Sequence, residues 1–206
     1  MLRLGTKPFI IAAVALIFTT TPKAEEIAPA DRAKLVQHLT ATRDQVIAES
    51  SKLSDAQWNF KAGPDRWSVG EVVEHLALAE TFLYGAHQKA MAGPAATPEQ
   101  RATTKGKEEV ILKAIPDRTK KVQAPEPLQP KTSLGNREQV VAAFRDRRAT
   151  TLGYATKTTD DLRSRVIDSP IGPVDAYQWL LFVSAHTERH LAQLREVKAN
   201  AQFPKM

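Results

Sequence analysis

The residues best suited to chemistry in this chain are histidines. His186 and His190 lie four residues apart in the segment Ser184-Ala-His-Thr-Glu-Arg-His-Leu-Ala-Gln-Leu194. On a helix, side chains at i and i+4 are surface neighbours, so the two rings can converge. At about 100° per residue, Trp179, Leu180, Val183, Leu194 and Val197 share one arc with both histidines, whereas Glu188, Arg189, Arg195 and Glu196 lie opposite. Both imidazoles are therefore expected to face a core. His75 shares a helical face with Val72, Leu78, Ala79, Phe82 and Ala86, which predicts a third inward ring from another helix.

Each buried neutral imidazole needs partners for both ring nitrogens. A divalent metal satisfies one nitrogen per ring and leaves the other for an outer acceptor. Three protein ligands also leave a position for water or substrate, the arrangement of catalytic sites. The H-x3-H spacing alone is a weak motif. Periodicity therefore leaves two readings level: a metal site, or three hydrogen-bonded core histidines. If metal is present, the site can serve an enzyme or a non-catalytic binding module.

Four long helices must position these rings. The first is expected from about Pro29 to Ser51, with Leu35, Leu39, Val46 and Leu53 at helical spacing and Pro29 in the first turn. A connector follows, with Trp58 and the breaker run Gly63-Pro64-Asp65. The second helix opens at Ser68, where Ser68-Val-Gly-Glu71 fits a capping box, and stops near Gly93-Pro94. Residues 94–135 are irregular, with short helical turns between Glu99 and Ile115 and a proline-rich connector from Ala124 to Pro130. The third helix spans about Asn136 to Thr156 and the fourth about Val174 to Ala199, after a turn through Ser169 to Pro173. No strand is expected. The predicted fold is all-α: a four-helix bundle with a long crossover between helices two and three, which need not be adjacent neighbours.

Other candidates have plainer readings. Glu71 lies one turn before His75 and could be an outer acceptor or a base, but the capping role accounts for it better. His38 and His87 are placed at the surface or boundary. Trp58, Trp67 and Trp179 are read as packing anchors, with a pocket wall as the lesser alternative. The run Arg145-Asp146-Arg147-Arg148 is read as a solvated helix face.

Composition removes several functions. There is no cysteine, so no disulfide, thiolate metal site or cysteine nucleophile is available. Arg3 and Lys7, the apolar run Pro8 to Phe18 and the stretch Thr19 to Ala24 read as an export signal. The apolar run is shorter than the roughly 20 residues of a membrane span. The expected organisation is a signal peptide at 1–24 and a bundle domain at 25–206, with an uncleaved N-terminal anchor as the alternative. Cleavage after Ala24 removes Arg3, Lys7 and Lys23 and no acid, halving the net charge of +6. The remaining cations are interspersed with acids and form no basic stripe, which argues against nucleic acid as a partner. The mature chain is expected in the periplasm or outside the cell, without stable membrane insertion. Its expected partner is a small-molecule substrate; a homodimer is left open.

Two segments carry a family likeness. Trp58, the turn at Gly63-Pro64, Trp67-Ser68 and the helix bearing His75 resemble the opening motif of the DinB-like superfamily. The stretch from Gly172 to Leu194, with His186 and His190, is similar to its closing motif. The likeness covers about residues 31–200. It implies a four-helix bundle of DinB/YfiT-like type with a divalent metal, zinc or nickel, on His75, His186 and His190. Some relatives are thiol S-transferases, and a metal there would lower the pKa of a bound water or thiol, so hydrolysis and group transfer are both left open as reaction classes. The export signal and the long proline-rich crossover depart from the usual pattern. Export also disfavours a cytoplasmic thiol cosubstrate, because reduced thiols are scarce in oxidising compartments.

Overall fold

Local chemistry defines the helix starts. The computed structural model describes residues 26–205, so the leader expected at 1–24 lies outside the described residues. The helices are α1 (Pro29–Ser50), α2 (Asp55–Asn59), α3 (Val69–Ala92), α4 (Pro98–Ala102), α5 (Glu108–Ala114), α6 (Arg137–Lys157) and α7 (Ala176–Lys198). Pro29 begins α1, where its missing N–H costs nothing. Ser68 opens α3 with the expected capping box: its hydroxyl accepts the Glu71 N–H and the Glu71 carboxylate accepts the Ser68 N–H at 2.8 Å. Asn136 with Gln139 opens α6, and Asp175 with Gln178 opens α7, by the same reciprocal device.

The long helices α1, α3, α6 and α7 form a four-helix bundle. Helix α3 packs on α6 and α7, and α1 packs on the same two, so α1 and α3 lie across the diagonal. Contacts between Arg147 and Ala77, Thr151 and Glu80, and Tyr154 and Tyr84 show that α3 and α6 run parallel. Those between Tyr177 and Asp31, Ser184 and Thr42, and Arg195 and Glu49 make α1 and α7 parallel as well. Parallel neighbours oblige the chain to return along the bundle before re-entering it. That return is the crossover of residues 93–136, and α3 and α6 are close neighbours in spite of it.

A small sheet was not expected. Val166–Ile167 (β1) pairs antiparallel with Val174–Asp175 (β2). The intervening turn puts Gly172 at φ +86°, where a side chain would be strained. Two residues per strand are too short for period-2 alternation to register in the sequence. Among the described residues, no helix is long and apolar enough to cross a membrane.

The apolar core falls into two clusters with a polar layer between them. One contains Leu35, Leu39, Leu83, Leu152, Leu180 and Val183. The other contains Val46, Val72, Leu76, Phe144, Leu191 and Leu194. Between them lies Arg148, fully buried and paired with Glu80 at 2.5 Å. Arg148 also donates to Leu39 O, Thr42 Oγ1 and Thr187 Oγ1, while Thr151 donates to the second oxygen of Glu80. The run Arg145–Arg148 is thus only half a solvated face. Arg145 and Asp146 are exposed, but Arg148 points into the bundle because α6 is packed by both α1 and α3.

His87 is likewise not at the surface: its exposure is 0%. It belongs to a second stripe of α3, Val73, Leu76, Glu80, Leu83 and His87, which faces α6, and its ring lies 4.9 Å from that of Tyr154. A helix held between two neighbours has two buried faces, which a single arc cannot describe. The arc drawn around His75 was off centre for the same reason: Leu78 is half-buried and Phe82 is 51% exposed. His38, by contrast, is at the boundary as expected. Trp58 packs under α3, where a Cβ at Gly70 would come within 2.4 Å of its indole nitrogen. Trp179 donates its indole N–H to Leu83 O at 2.9 Å.

Two outcomes follow for stability. Glu80→Ala leaves the Arg148 guanidinium buried without its anion and is expected to cost about 3–5 kcal/mol in denaturant unfolding, with Glu80→Leu/Arg148→Met recovering most of the loss. Burial lowers the His87 pKa to about 4, and neither ring nitrogen has a hydrogen-bond partner among the described residues. The unfolded state therefore takes up this proton first. The stability due to a neutral His87 is complete above pH 6.5 and is lost as pH falls towards 4. Unfolding free energies of wild type and His87→Leu, measured from pH 7 to 4, are expected to converge or cross by up to about 3 kcal/mol.

Candidate metal centre

His75 sits two turns into α3, and His186 and His190 lie on successive turns of α7. Helices α3 and α7 are antiparallel neighbours, and the Arg148 contacts to Glu80 and Thr187 set their relative level. At that level the three rings meet. The Nε2 atom of His75 lies 3.1 Å from that of His190 and 3.4 Å from that of His186. One ligand atom from each residue falls within 4.8 Å of the others.

The far side of two rings is fixed by acceptors. His75 Nδ1 lies 2.7 Å from Leu128 O, which can only accept. His190 Nδ1 lies 2.8 Å from Gln193 Oε1. Arg118, which can only donate, reaches the same Gln193 atom at 3.3 Å, so that atom is the amide oxygen. Both Nδ1 atoms therefore carry protons, and both Nε2 lone pairs face the centre. Burial lowers the pKa of His75, although the Leu128 carbonyl opposes the shift. Burial of most of its ring, with His75 beside it, lowers the pKa of His186, and burial with both other rings takes His190 well below its ordinary value. All three rings are neutral at physiological pH.

Neutral imidazoles with lone pairs directed at one another repel, and a cation between them converts that repulsion into three bonds. Nitrogen ligands about 2.0–2.1 Å from a shared tetrahedral ion stand about 3.3 Å apart. The spacings of 3.1 and 3.4 Å suit that donor set, which contains no thiolate or carboxylate.

Aromatic rings enclose the cluster. Trp67 lies 4.9 Å from the His75 ring and stacks at 6.3 Å on His190. It immediately precedes the Ser68 cap, so the capping box that starts α3 also places this ring, which packs on the second apolar cluster, as an anchor does, and lies against the histidines as well. Phe182 stacks at 6.3 Å on His186 and at 5.2 Å on Trp179. His75 and His190 are buried, whereas His186 is partly exposed and marks the open side.

His38 and His87 are not drawn into the cluster. Glu71 is committed to the Ser68 N–H and to Lys61 Nζ at 2.7 Å, so it acts as a cap and not as a base. Sequence reasoning did not anticipate Leu128, Gln193, Arg118 or Glu74. Gln193, one turn after His190 on the same helix, had a readable spacing. Leu128 and Arg118 reach the site only by way of the crossover, and Glu74, although next to His75 in sequence, shows its part only through its contacts with Thr132 and Ser133.

Comparison with known proteins agrees with this architecture. YfiT from Bacillus subtilis, described as a probable metal-dependent hydrolase with an unusual four-helix bundle topology, superposes with a TM-score of 0.55 over 87% of this chain and 91% of its own, at 16% identity. The uncharacterized protein YuaE of Bacillus subtilis strain 168 is 29% identical over 152 residues, which is 73% of this chain and 88% of YuaE. The profile of the DinB superfamily matches residues 38–194. With a match over most of its length, the chain belongs to the DinB superfamily.

Proposed function

We propose that this protein is an exported metal-dependent hydrolase of a small molecule, with a divalent ion, zinc or nickel, held by His75, His186 and His190. The observation that carries this reading is the 3.1 Å approach of two Nε2 atoms whose Nδ1 protons are already committed to Leu128 O and Gln193 Oε1. The description of YfiT as a probable metal-dependent hydrolase supports the reaction class. Bound there, the ion would supply a water nucleophile at neutral pH and polarise the scissile group.

The chain's own residues do the rest. Leu128 and Gln193 hold two rings in the tautomer that directs Nε2 inward. Trp67 and Phe182 exclude solvent from two sides. The partly exposed edge of His186 leaves the approach for a small substrate. Reading residues 1–24 as a leader places the mature chain in the periplasm or outside the cell. Water is abundant there and reduced low-molecular-weight thiols are not, which favours hydrolysis over thiol transfer.

Protein purified without a histidine tag is expected to carry about one divalent ion per chain by elemental analysis. His186→Ala and His190→Ala should lose the ion together with hydrolysis of a panel of small esters and amides. Wild-type protein without stoichiometric metal would sink the proposal, and bound metal without turnover of any panel member would assign the site to ligand binding instead. For export, N-terminal sequencing of the extracytoplasmic protein should begin at Glu25; a chain keeping Met1 in the membrane fraction overturns cleavage.

A further inference from the structure

The acceptor that fixes His75 belongs to no bundle helix. Leu128 lies in a short 3-10 turn, Glu126–Leu128, within the proline-rich part of the crossover. A peptide turn of three residues does not hold its own position, yet its carbonyl stands 2.7 Å from His75 Nδ1. The Leu128 side chain is buried and Leu134 packs on the second core cluster, while the polar grip on the segment between them comes from Glu74.

Glu74 is 3% exposed and, among the described residues, forms no ion pair. Its carboxylate accepts the Thr132 N–H at 2.9 Å, the Ser133 N–H at 2.6 Å and the Ser133 hydroxyl at 2.9 Å. Successive N–H groups turned onto one anion form a charge-assisted cradle. Thr132 adopts φ +56° to present its N–H, a conformation that a β-branched residue avoids unless its surroundings compel it. Adjacent residues of one helix thus grip the crossover twice: Glu74 takes residues 132 and 133, and His75 takes Leu128.

The other arm of the crossover meets α7 in a parallel way. Arg118 donates to both carboxylate oxygens of Glu196, at 2.7 and 2.9 Å, and to Gln193 Oε1, the acceptor for His190. Arg189 donates to the carbonyls of Asp117 and Lys120. The crossover therefore supplies the acceptor for His75 and touches, through Arg118, the Gln193 acceptor that α7 supplies for His190.

We infer that Glu74 is a positioning residue for the metal centre: by latching residues 132 and 133 it holds the Leu128 carbonyl on His75, so that metal affinity and crossover order form a single equilibrium. This inference rests on the proposed role of the three histidines as metal ligands. Outer partners of a ligating histidine fix its orientation and raise its basicity. Linkage is reciprocal, so a metal that needs His75 in this pose tightens the crossover to the same extent.

The test uses the full mature chain with Zn2+ and Co2+. In Glu74→Gln, competition against a chromophoric chelator is expected to show Zn2+ affinity weakened roughly 10–100-fold, although Glu74 is not a ligand. The visible Co2+ spectrum should change, and Zn2+ should slow amide exchange over residues 126–133 strongly in wild type and weakly in the variant. Ser133 is exposed, so Ser133→Ala leaves the bundle intact should Glu74→Gln fold poorly; loss of one hydrogen bond should weaken Zn2+ about fivefold. A merely structural Glu74 would lower Tm with and without metal alike and leave the Zn2+ Kd and the Co2+ spectrum at wild-type values. That result, or crossover exchange indifferent to Zn2+, overturns the inference. Failure of wild type to bind Zn2+ or Co2+ would instead remove the ligand role beneath it.

Discussion

The buried Arg148–Glu80 pair is the contact on which the arrangement depends. Removing two charges from water is costly, and the cost is offset here by partners for both terminal nitrogens of Arg148, while its Nε is buried with none among the described residues. Here the guanidinium reaches α1 through Leu39 O and Thr42, α3 through Glu80 and α7 through Thr187, so one side chain of α6 touches all the other long helices. Apolar side chains above and below this layer tolerate small slips along a helix axis. A charge network does not, because a slip of one turn leaves a buried charge alone. The layer thus acts as a register pin, and His186, beside Thr187, inherits its level relative to His75 from it.

Once that register is set, the direction of the chain becomes important. Helices α3 and α6 run parallel, so the link between them must travel back along the bundle, and a tight turn cannot make that journey. The protein turns this topological demand to use. The returning segment passes the histidines, contributes Leu128 O to one ring and, through Arg118, donates to the Gln193 amide that α7 itself presents to another. Desolvation lowers the pKa of all three rings, and outer acceptors direct the free lone pairs of His75 and His190 inward. A bundle alone would bury the imidazoles; the Leu128 carbonyl of the crossover and the Gln193 amide of α7 select the tautomer in which two of them can bind a cation.

Much of the site was legible because the relevant signals are short-range. The spacing of His186 and His190 within an apolar arc, and the Ser68–Glu71 box that starts α3 and seats Trp67, depend on residues three or four apart. The resemblance to the DinB-like superfamily rested on such segments too. The misreadings within the long helices share one cause: helical periodicity assumes one buried face. Helix α3 has two, which is why His87 is buried and Phe82 is not. Helix α6 lies between α1 and α3, which is why Arg148, at the end of a charged run, is buried while Arg145 is solvated.

The starts of the four long helices, the turns between them and the inward set of three imidazoles were legible in the residues alone, since each depends on hydrogen bonds and side-chain spacing within a turn or two, whereas the short helix α2 falls in a stretch read as a connector. Three-dimensional packing was needed to make α3 and α6 parallel neighbours, to bring Arg148 to Glu80, to set Glu74 on residues 132 and 133, and to carry Leu128 to His75. Arg148 and Glu80 lie 68 residues apart, and the crossover pairs lie 53 to 59 residues apart. No local preference joins such residues; they meet because packing four amphipathic helices leaves few places where a buried charge or a ring nitrogen can find a partner.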